Sequence, residues 1–333
     1  MSDSAEQSGL VVTEAVPADP SAVEGGGADP SAVEGGGGDA KPKLSPKNYV
    51  NLAAYAANIA LVYGIGNAGW LGTPTNGDLS DKYQTLVTPN SSAFSIWAVI
   101  FMFQGLFAVV QFLPRFRSHP MVADGLSWWY NAVVLTQIGW TISFAYEIVP
   151  LSLAFMVLIW LSLMTILYRQ YYAKSDGTLL EFWLLRFPFA VHAGWITAAS
   201  ALNVNVQVVY MGEPAYVQLS VAIVSLAVLH AVSVWVLFNI PRPNWTVACV
   251  LTWAFGWIYN ELSDPLALIT ETFSTDTILG VQNAAIAVVV VICSQMAVRL
   301  GMLFLPSWNG YRKVESDSDS ATQEEEPMKE ADV

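Results

Sequence analysis

The chain has 333 residues, of which 54% are hydrophobic and only 12% are charged, and its formal net charge is −13. The two ends, 1–47 and 310–333, hold 16 of the 27 acidic residues, whereas 48–309 hold 11 acids and 8 bases. An ordinary soluble domain is about one-quarter charged, so these charges are too few to cover a water-soluble surface. The composition disfavours a soluble enzyme, a nucleic-acid-binding protein and a disulfide-linked secreted domain. It indicates an all-α integral membrane protein.

The two ends predict disorder. Residues 1–47 are rich in glycine and acids, and the ten residues 18–27 are repeated at 28–37. Such segments bury too little apolar surface to offset the entropy of ordering. We therefore predict a disordered acidic, Gly-rich cytosolic tail over 1–47 and a second disordered acidic tail over 310–333.

Between the tails, apolar segments long enough to cross a hydrocarbon core of about 30 Å alternate with Pro, Gly and Asn turn residues. Each should be helical, because lipid cannot satisfy free backbone groups. We predict eight spans, with a five-helix bundle over 48–207 and three additional transmembrane helices over 208–309. The predicted spans are 49–71, 92–113, 126–146, 151–170, 182–205, 216–238, 245–262 and 279–304.

The basic residues predict the orientation of these spans. With eight spans, thirteen of the fourteen Lys and Arg residues lie on one side, and Lys82 lies alone on the other. Cytoplasmic connections carry the excess of Lys and Arg in multi-pass proteins. The pattern predicts that both termini lie on the cytosolic, stromal or matrix side, and it does not identify the membrane.

Function should rest on aromatic and amide side chains, because the predicted helices contain few ions. Trp97, Trp140, Trp160 and Trp195 lie away from the helix ends, where a lipid-facing indole N–H would lack a partner. Two interpretations stay open at this point: plain core packing, or a pocket for a flat, largely apolar ligand. The polar residues in these helices that also need partners are Gln104, Asn131, Gln137, His192, Asn203, Asn205, Gln207 and His230.

Four motifs then resemble one family in order and spacing. They are Pro89 with Phe94-Ser95-Ile96-Trp97, Gln137-Ile138-Gly139-Trp140, Trp160, and Trp195 to Asn203 across a run of small residues. The set is similar to the tryptophan-rich sensory protein/translocator protein (TspO/MBR) family, in a longer eight-helix branch. Phe101 and Gln137 stand where the family has Tyr and Asn, and no animal-type sterol motif follows Asn203.

The resemblance implies a five-helix bundle around an aromatic-lined pocket that binds a tetrapyrrole, such as haem or another porphyrin, or a sterol-like lipid. It implies a sensor or transporter rather than an enzyme, with no catalytic residue and no metal ligand. Helices 6–8 then either cover the side of the bundle or form the face of a homodimer. Carried onto this sequence, the expected ligand-binding residues are Trp97, Trp140, Trp195 and Asn203, followed by Phe94, Gln137, Trp160 and His192.

Two alternatives make different structural predictions. A channel or transporter for a small metabolite requires a continuous polar path, for which Gln104, His192 and His230 are the candidates. A membrane enzyme acting on a lipid or isoprenoid requires acid–base groups such as Glu147, His192 or His230 to converge on one cavity.

Overall fold

The computed structural model describes residues 43–304, and within them the chain forms helices and no strand. Most of both predicted tails lies outside these residues. Three short helices, Asn76–Lys82, Leu179–Glu181 and Ala267–Thr272, lie in or beside the connections. The eight long helices are α1 (Pro46–Gly66), α2 (Ile96–Val110), α3 (Trp129–Ala145), α4 (Val149–Tyr172), α5 (Phe187–Tyr210), α6 (Ala215–Val234), α7 (Trp245–Glu261) and α8 (Thr275–Met302).

Five of the helical segments are long and apolar enough to cross a membrane: Pro46–Gly66, Ser91–Val110, Val149–Tyr172, Ala215–Asn239 and Thr275–Met302. They support the prediction of a multi-pass integral membrane protein. The remaining long helices, α3, α5 and α7, coincide with predicted spans but are not among the five. Both α3 and α7 have 17 residues, about 25 Å at 1.5 Å per residue. The count of eight spans stays a prediction.

Local signals explain where several helices begin. Pro46 occupies the first turn of α1, and the Ser45 side chain accepts from the Lys47 backbone N–H while the Asn48 side chain accepts from Ser45 N–H. Such a cap satisfies amide groups that have no partner within the helix. Helix α1 therefore begins two residues inside the stretch predicted as a tail.

Helix α5 lies at the centre of the structure. Its residues from Pro188 to Ala198 are all buried, so no face of this stretch is left for lipid or water. A helix that is buried all round must be surrounded by other elements, and α5 packs against α2, α4, α6 and α7. This central position explains how α5 tolerates a histidine and several amides.

Two apolar cores lie on either side of α5. The first joins residues of α2, α3, α4 and α5, including Phe107, Tyr130 and Phe189. The second joins α6, α7 and α8, including Phe255 and Leu251. Because α5 packs on both groups of helices, the predicted boundary between 207 and 208 stays a prediction.

Candidate ligand site

The candidate site begins at Trp195 on α5, whose side chain is only 2% exposed. The ring of Phe94, just before α2, meets it edge to face, with 5.5 Å between the ring centroids. One turn earlier on α5, the ring of His192 lies 5.5 Å from that of Trp97. Four of the predicted ligand-binding residues therefore form two adjacent ring contacts between α2 and α5.

A small cavity borders Trp195. Its volume is about 20 Å³, room for about one water molecule. Drug-sized ligands occupy pockets of roughly 300 Å³ or more, so the cavity does not fit a porphyrin as it stands. It is lined by Val87, Pro89, Trp195, Ala198, Ala199, Ala201, Leu202, Leu229, Ala254 and Ile258.

The segment from Gln84 to Pro89 covers one side of this cavity, and all six of its residues are buried without forming a helix. Two carboxylates hold it, and one of them, Glu261, contacts both ends, because Gln84 Nε2 also donates to it. Tyr83 Oη donates to Glu147, between α3 and α4, at 2.5 Å, and Lys82 pairs with the same carboxylate. At the other end, Asn90 Nδ2 donates to Glu261 of α7 at 3.0 Å.

The side chain of His192 is fully buried, and its Nδ1 lies 2.9 Å from Gln104 Nε2 on α2. His192 Nε2 and Gln104 Oε1 are both buried and have no partner among the described residues. A polar atom without a partner is costly in an apolar interior. This pair joins α2 to α5 beneath the Trp97 ring.

The indole N–H groups of two other predicted tryptophans donate hydrogen bonds to side chains of α5. Trp140 Nε1 donates to Asn203 Oδ1 at 3.1 Å, and Asn203 Nδ2 donates to the carbonyl of Ala199 at 2.9 Å. Trp160 Nε1 donates to Thr197 Oγ1 at 3.1 Å. These two indoles stabilise the position of α5.

Gln137, the last of the predicted residues, contacts α1 rather than α5. Asn58 Nδ2 donates to Gln137 Oε1 at 3.4 Å, while Gln137 Nε2 and Asn58 Oδ1 lack partners in the described part of the chain. Of the eight predicted residues, Trp195 alone borders the cavity.

Comparison with known proteins decides the family. A family model described as TSPO-like protein matches residues 48–298. The chain belongs to the TSPO-like family. No curated protein and no solved structure matches it. The match confirms the resemblance read from the motifs. It extends through α6, α7 and most of α8, beyond residue 207, where the predicted five-helix bundle ends.

Sequence reasoning missed part of the polar interior of this TSPO-like chain. Asn48, Asn51 and Asn58 are each about 1% exposed, and the hydroxyl of Tyr130 is buried with no partner among the described residues. The asparagines are spaced by three and seven residues, which places them on one face of α1. This spacing is the sequence signal that could have predicted the buried asparagines.

The TSPO-like chain does not bring together the groups that the two alternatives require. His192 pairs with Gln104 between α2 and α5, whereas His230 Nε2 lies 3.3 Å from Gln295 Nε2 between α6 and α8. Glu147 pairs outside the long helices with Lys82 and Tyr83. Within residues 43–304 these groups therefore lie in three separate places.

One cluster outside the long helices combines metal-ligating residue types. His119, Asp176 and Glu181 each place a ligand atom within 4.8 Å of the others. Arg115 lies 3.4 Å from the Asp176 carboxylate and Arg186 lies 3.7 Å from that of Glu181, so two guanidinium groups balance the two carboxylates. Hydrogen bonds from Thr178 are the main reason that the pKa of Asp176 lies well below its usual range.

The imidazole tautomer also argues for a structural role. His119 Nδ1 accepts the Met121 backbone N–H at 3.2 Å. The proton of the neutral ring is then on Nε2, which faces the carboxylates of Asp176 and Glu181 at 3.6 and 3.7 Å. A metal ion would need the Nε2 lone pair. The cluster acts as a clamp between the α2–α3 and α4–α5 connections.

Proposed function

We propose that this TSPO-like chain is a membrane-embedded binding protein, a sensor or transporter, for a tetrapyrrole or a similar apolar ligand, and that Trp195 contacts this ligand. The proposal includes eight spans, with both termini on the cytosolic, stromal or matrix side of the membrane. Binding rather than catalysis is favoured, because the candidate acid–base groups are dispersed.

The observation that carries the proposal is the environment of Trp195. The indole nitrogens of Trp140, Trp160 and Trp253 donate to protein acceptors, whereas the hydrogen bonds of residues 43–304 include none from Trp195 Nε1. A buried indole beside a cavity, with its N–H available, suits an apolar ligand that carries an acceptor at its edge. The neighbouring Ala198 and Ala199 are small, so they leave room for a ring.

A ligand of porphyrin size needs the cavity to expand. The 84–89 segment is the element best suited to move, because it is a connection that side-chain hydrogen bonds attach to Glu147, through Tyr83, and to Glu261, through Gln84 and Asn90. Its displacement would break the Gln84–Glu261 hydrogen bond and open the cavity beside Trp195, while the backbone hydrogen bonds within the long helices stay intact. The resulting pocket would be bounded by α5, α6 and α7.

The test is a titration of the purified full-length protein in detergent with protoporphyrin IX, followed by tryptophan fluorescence and porphyrin absorbance. Trp195→Phe removes the indole N–H and should weaken binding by about fivefold or more, the equivalent of one hydrogen bond of about 1 kcal/mol. Trp97→Phe and Trp140→Phe should weaken it less, since these rings act by positioning α5.

Trp235→Phe is the matched control, because Trp235 is 58% exposed and lies away from the cavity. It should leave the affinity unchanged. If Trp195→Phe and Trp235→Phe change the affinity equally, the porphyrin partitions nonspecifically and the proposal is wrong. The proposal would also be contradicted if the wild-type protein shows no saturable binding of the porphyrin.

A further inference from the structure

Helix α7 carries the polar contacts that hold the 84–89 segment over the cavity. Both carboxylate oxygens of Glu261, the last residue of α7, accept a hydrogen bond: Gln84 Nε2 donates to Oε1, and Asn90 Nδ2 donates to Oε2 at 3.0 Å. One turn earlier, the carbonyl of Trp257 accepts the Asn90 backbone N–H at 3.1 Å. A single carboxylate therefore contacts the residues at both ends of the segment.

The same face of α7 also forms a wall of the cavity. Ala254 and Ile258 line it, together with Val87 and Pro89 of the segment. Ala254, Ile258 and Glu261 are spaced by four and three residues, which places them on one face of the helix. Movement of the segment away from this face would widen the cavity, and the hydrogen bonds to Glu261 resist that movement.

The backbone hydrogen bonds of the segment are internal. Thr85 N–H donates to Thr88 Oγ1 at 2.8 Å, and Thr88 N–H donates to the Thr85 carbonyl at 3.1 Å. Among the described residues, no backbone hydrogen bond joins residues 84–89 to a long helix. Leu86 and Val87 contact the α6–α8 core through apolar atoms, and such contacts have no fixed direction. The segment can therefore move as one preformed turn once its side-chain bonds to α7 are broken.

The closed position leaves one polar atom of the segment without a hydrogen bond. Gln84 is 2% exposed, and its Oε1 is buried with no partner among the described residues. A buried acceptor of this kind is costly, and water would bond it if the segment moved outward. The hydrogen bonds to Glu261 thus hold the segment closed against a cost that opening relieves.

We propose that Glu261 is the positioning residue that keeps the cavity beside Trp195 closed, and that breaking its hydrogen bonds to Gln84 and Asn90 opens the cavity to an apolar ligand. The ligand is that of the proposed function, on which this role rests, whereas the movement of the segment is tested without any ligand. Helix α7, which lies outside the predicted five-helix bundle, then supplies both a wall of the site and the carboxylate that controls entry.

The experiment measures how fast a water-soluble maleimide labels a cysteine introduced by Val87→Cys into the full-length protein in detergent. The labelling of the free Cys249 and Cys293 in the parent protein is subtracted. Val87 is 3% exposed, so its labelling requires the segment to move. Glu261→Gln leaves one acceptor oxygen in place of two and should raise the labelling rate about tenfold, the effect of one lost hydrogen bond to a charged group. Glu261→Ala should raise it further.

Asp264→Asn is the matched control, because it removes an exposed negative charge three residues beyond Glu261, whereas Gln84 and Asn90 bond to Glu261. It should leave the labelling rate unchanged. A cysteine introduced by Ser152→Cys reports any general opening of the helices, since Ser152 is fully buried in α4.

The labelling of this second cysteine should be the same with and without Glu261→Gln. The proposal is overturned if Glu261→Gln does not accelerate labelling at position 87, or if it accelerates labelling at positions 87 and 152 equally. It is also overturned if Asp264→Asn has the same effect as Glu261→Gln.

Binding of protoporphyrin IX tests the two proposals separately. Glu261→Gln should raise the association rate constant and tighten the Kd, because the open form that can bind becomes more populated. A residue that only stabilises the binding fold would weaken binding when it is replaced. Saturable binding without faster association would overturn the role of Glu261 and leave the proposed function standing. Faster labelling at position 87 without saturable porphyrin binding would overturn the proposed function alone.

Discussion

The two sides of α5 are both well packed, but they are held together by different chemistry. On the α1–α4 side, amides form a series of contacts across α1: Asn51 Nδ2 donates to Gln111 Oε1 at 3.1 Å, and Asn131 Nδ2 donates to Asn51 Oδ1 at 3.1 Å. On the α6–α8 side, the core consists mainly of Leu, Val, Ile, Ala and Phe.

This difference has a physical meaning in a membrane. Lipid tails are as apolar as leucine, so helices there associate through close packing and hydrogen bonds. The α1–α4 side uses hydrogen bonds, which specify how far one helix is shifted along another. The α6–α8 side uses small residues that allow close approach: Gly194 of α5 lies so near α7 that an added Cβ would be 2.8 Å from Val250 Cβ.

The largest effect should come from closing this approach. In Gly194→Ala the new methyl group would also lie 3.3 Å from the backbone Cα of Val247, so α5 and α7 must separate. We expect the free energy of unfolding to fall by about 1–3 kcal/mol. Unfolding of the purified protein in mixed micelles by added denaturing detergent measures the change.

Gly256→Ala is the control for this prediction, since no described atom lies within 4 Å of the added Cβ. It should stabilise α7 by up to about 1 kcal/mol, because alanine is the better helix former. If Gly194→Ala stabilises the protein as Gly256→Ala does, the two sides of α5 are not held by close contact at Gly194.

A smaller effect should follow when the amide series is interrupted. Asn51→Leu removes one hydrogen bond to Gln111 and one from Asn131. The expected loss is about 0.6–2 kcal/mol, the range of interhelical hydrogen bonds in membranes. Ser220→Leu on α6 is the matched control, because the exposed Ser220 hydroxyl bonds only within its own helix. Equal stability of both variants would mean that the amides contribute nothing to the α1–α4 side.

The smallest effect should come from Glu147, which holds Lys82 and Tyr83 beside the 84–89 segment. Lys82, and then Tyr83, lowers the pKa of Glu147 below its ordinary value of 4.5 by hydrogen bonding. Because the folded pKa is the lower one, Glu147 stabilises the fold above its unfolded pKa. That contribution is lost as the pH falls from about 4.5 through the folded pKa.

Melting temperatures of the wild type and Glu147→Gln between pH 7 and pH 3 test this expectation. The difference between the two proteins should shrink as the pH falls below 4.5. Glu271→Gln, at an exposed position of the Ala267–Thr272 helix, should differ from the wild type by the same small amount throughout. A constant difference for Glu147→Gln would show that this carboxylate does not hold the connection.

Much of the helical structure and part of the site were predictable from local patterns. The apolar segments ending at Pro150, Pro214 and Pro243 correspond to long helices, because turn residues interrupt the helical periodicity there. The ring contacts of Phe94 and Trp97 with α5 agree with the family motifs. The burial of Asn58 and the hydroxyl of Tyr130, which has no partner among the described residues, were not predicted. Composition does not indicate which polar residues of a long apolar helix face the interior.

Sequence alone determined the class of the protein, the positions of the long helices and the family, because these depend on periodicity, turn residues and motif spacing within short stretches. Tertiary structure decided which polar atoms find partners. Trp140 meets Asn203 and Gln104 meets His192 across 63 and 88 residues of chain, and no local pattern specifies such pairs. It also decided that Trp195 is the one predicted residue that borders the cavity, because the packing of α5 against α6 and α7 places that cavity beside it.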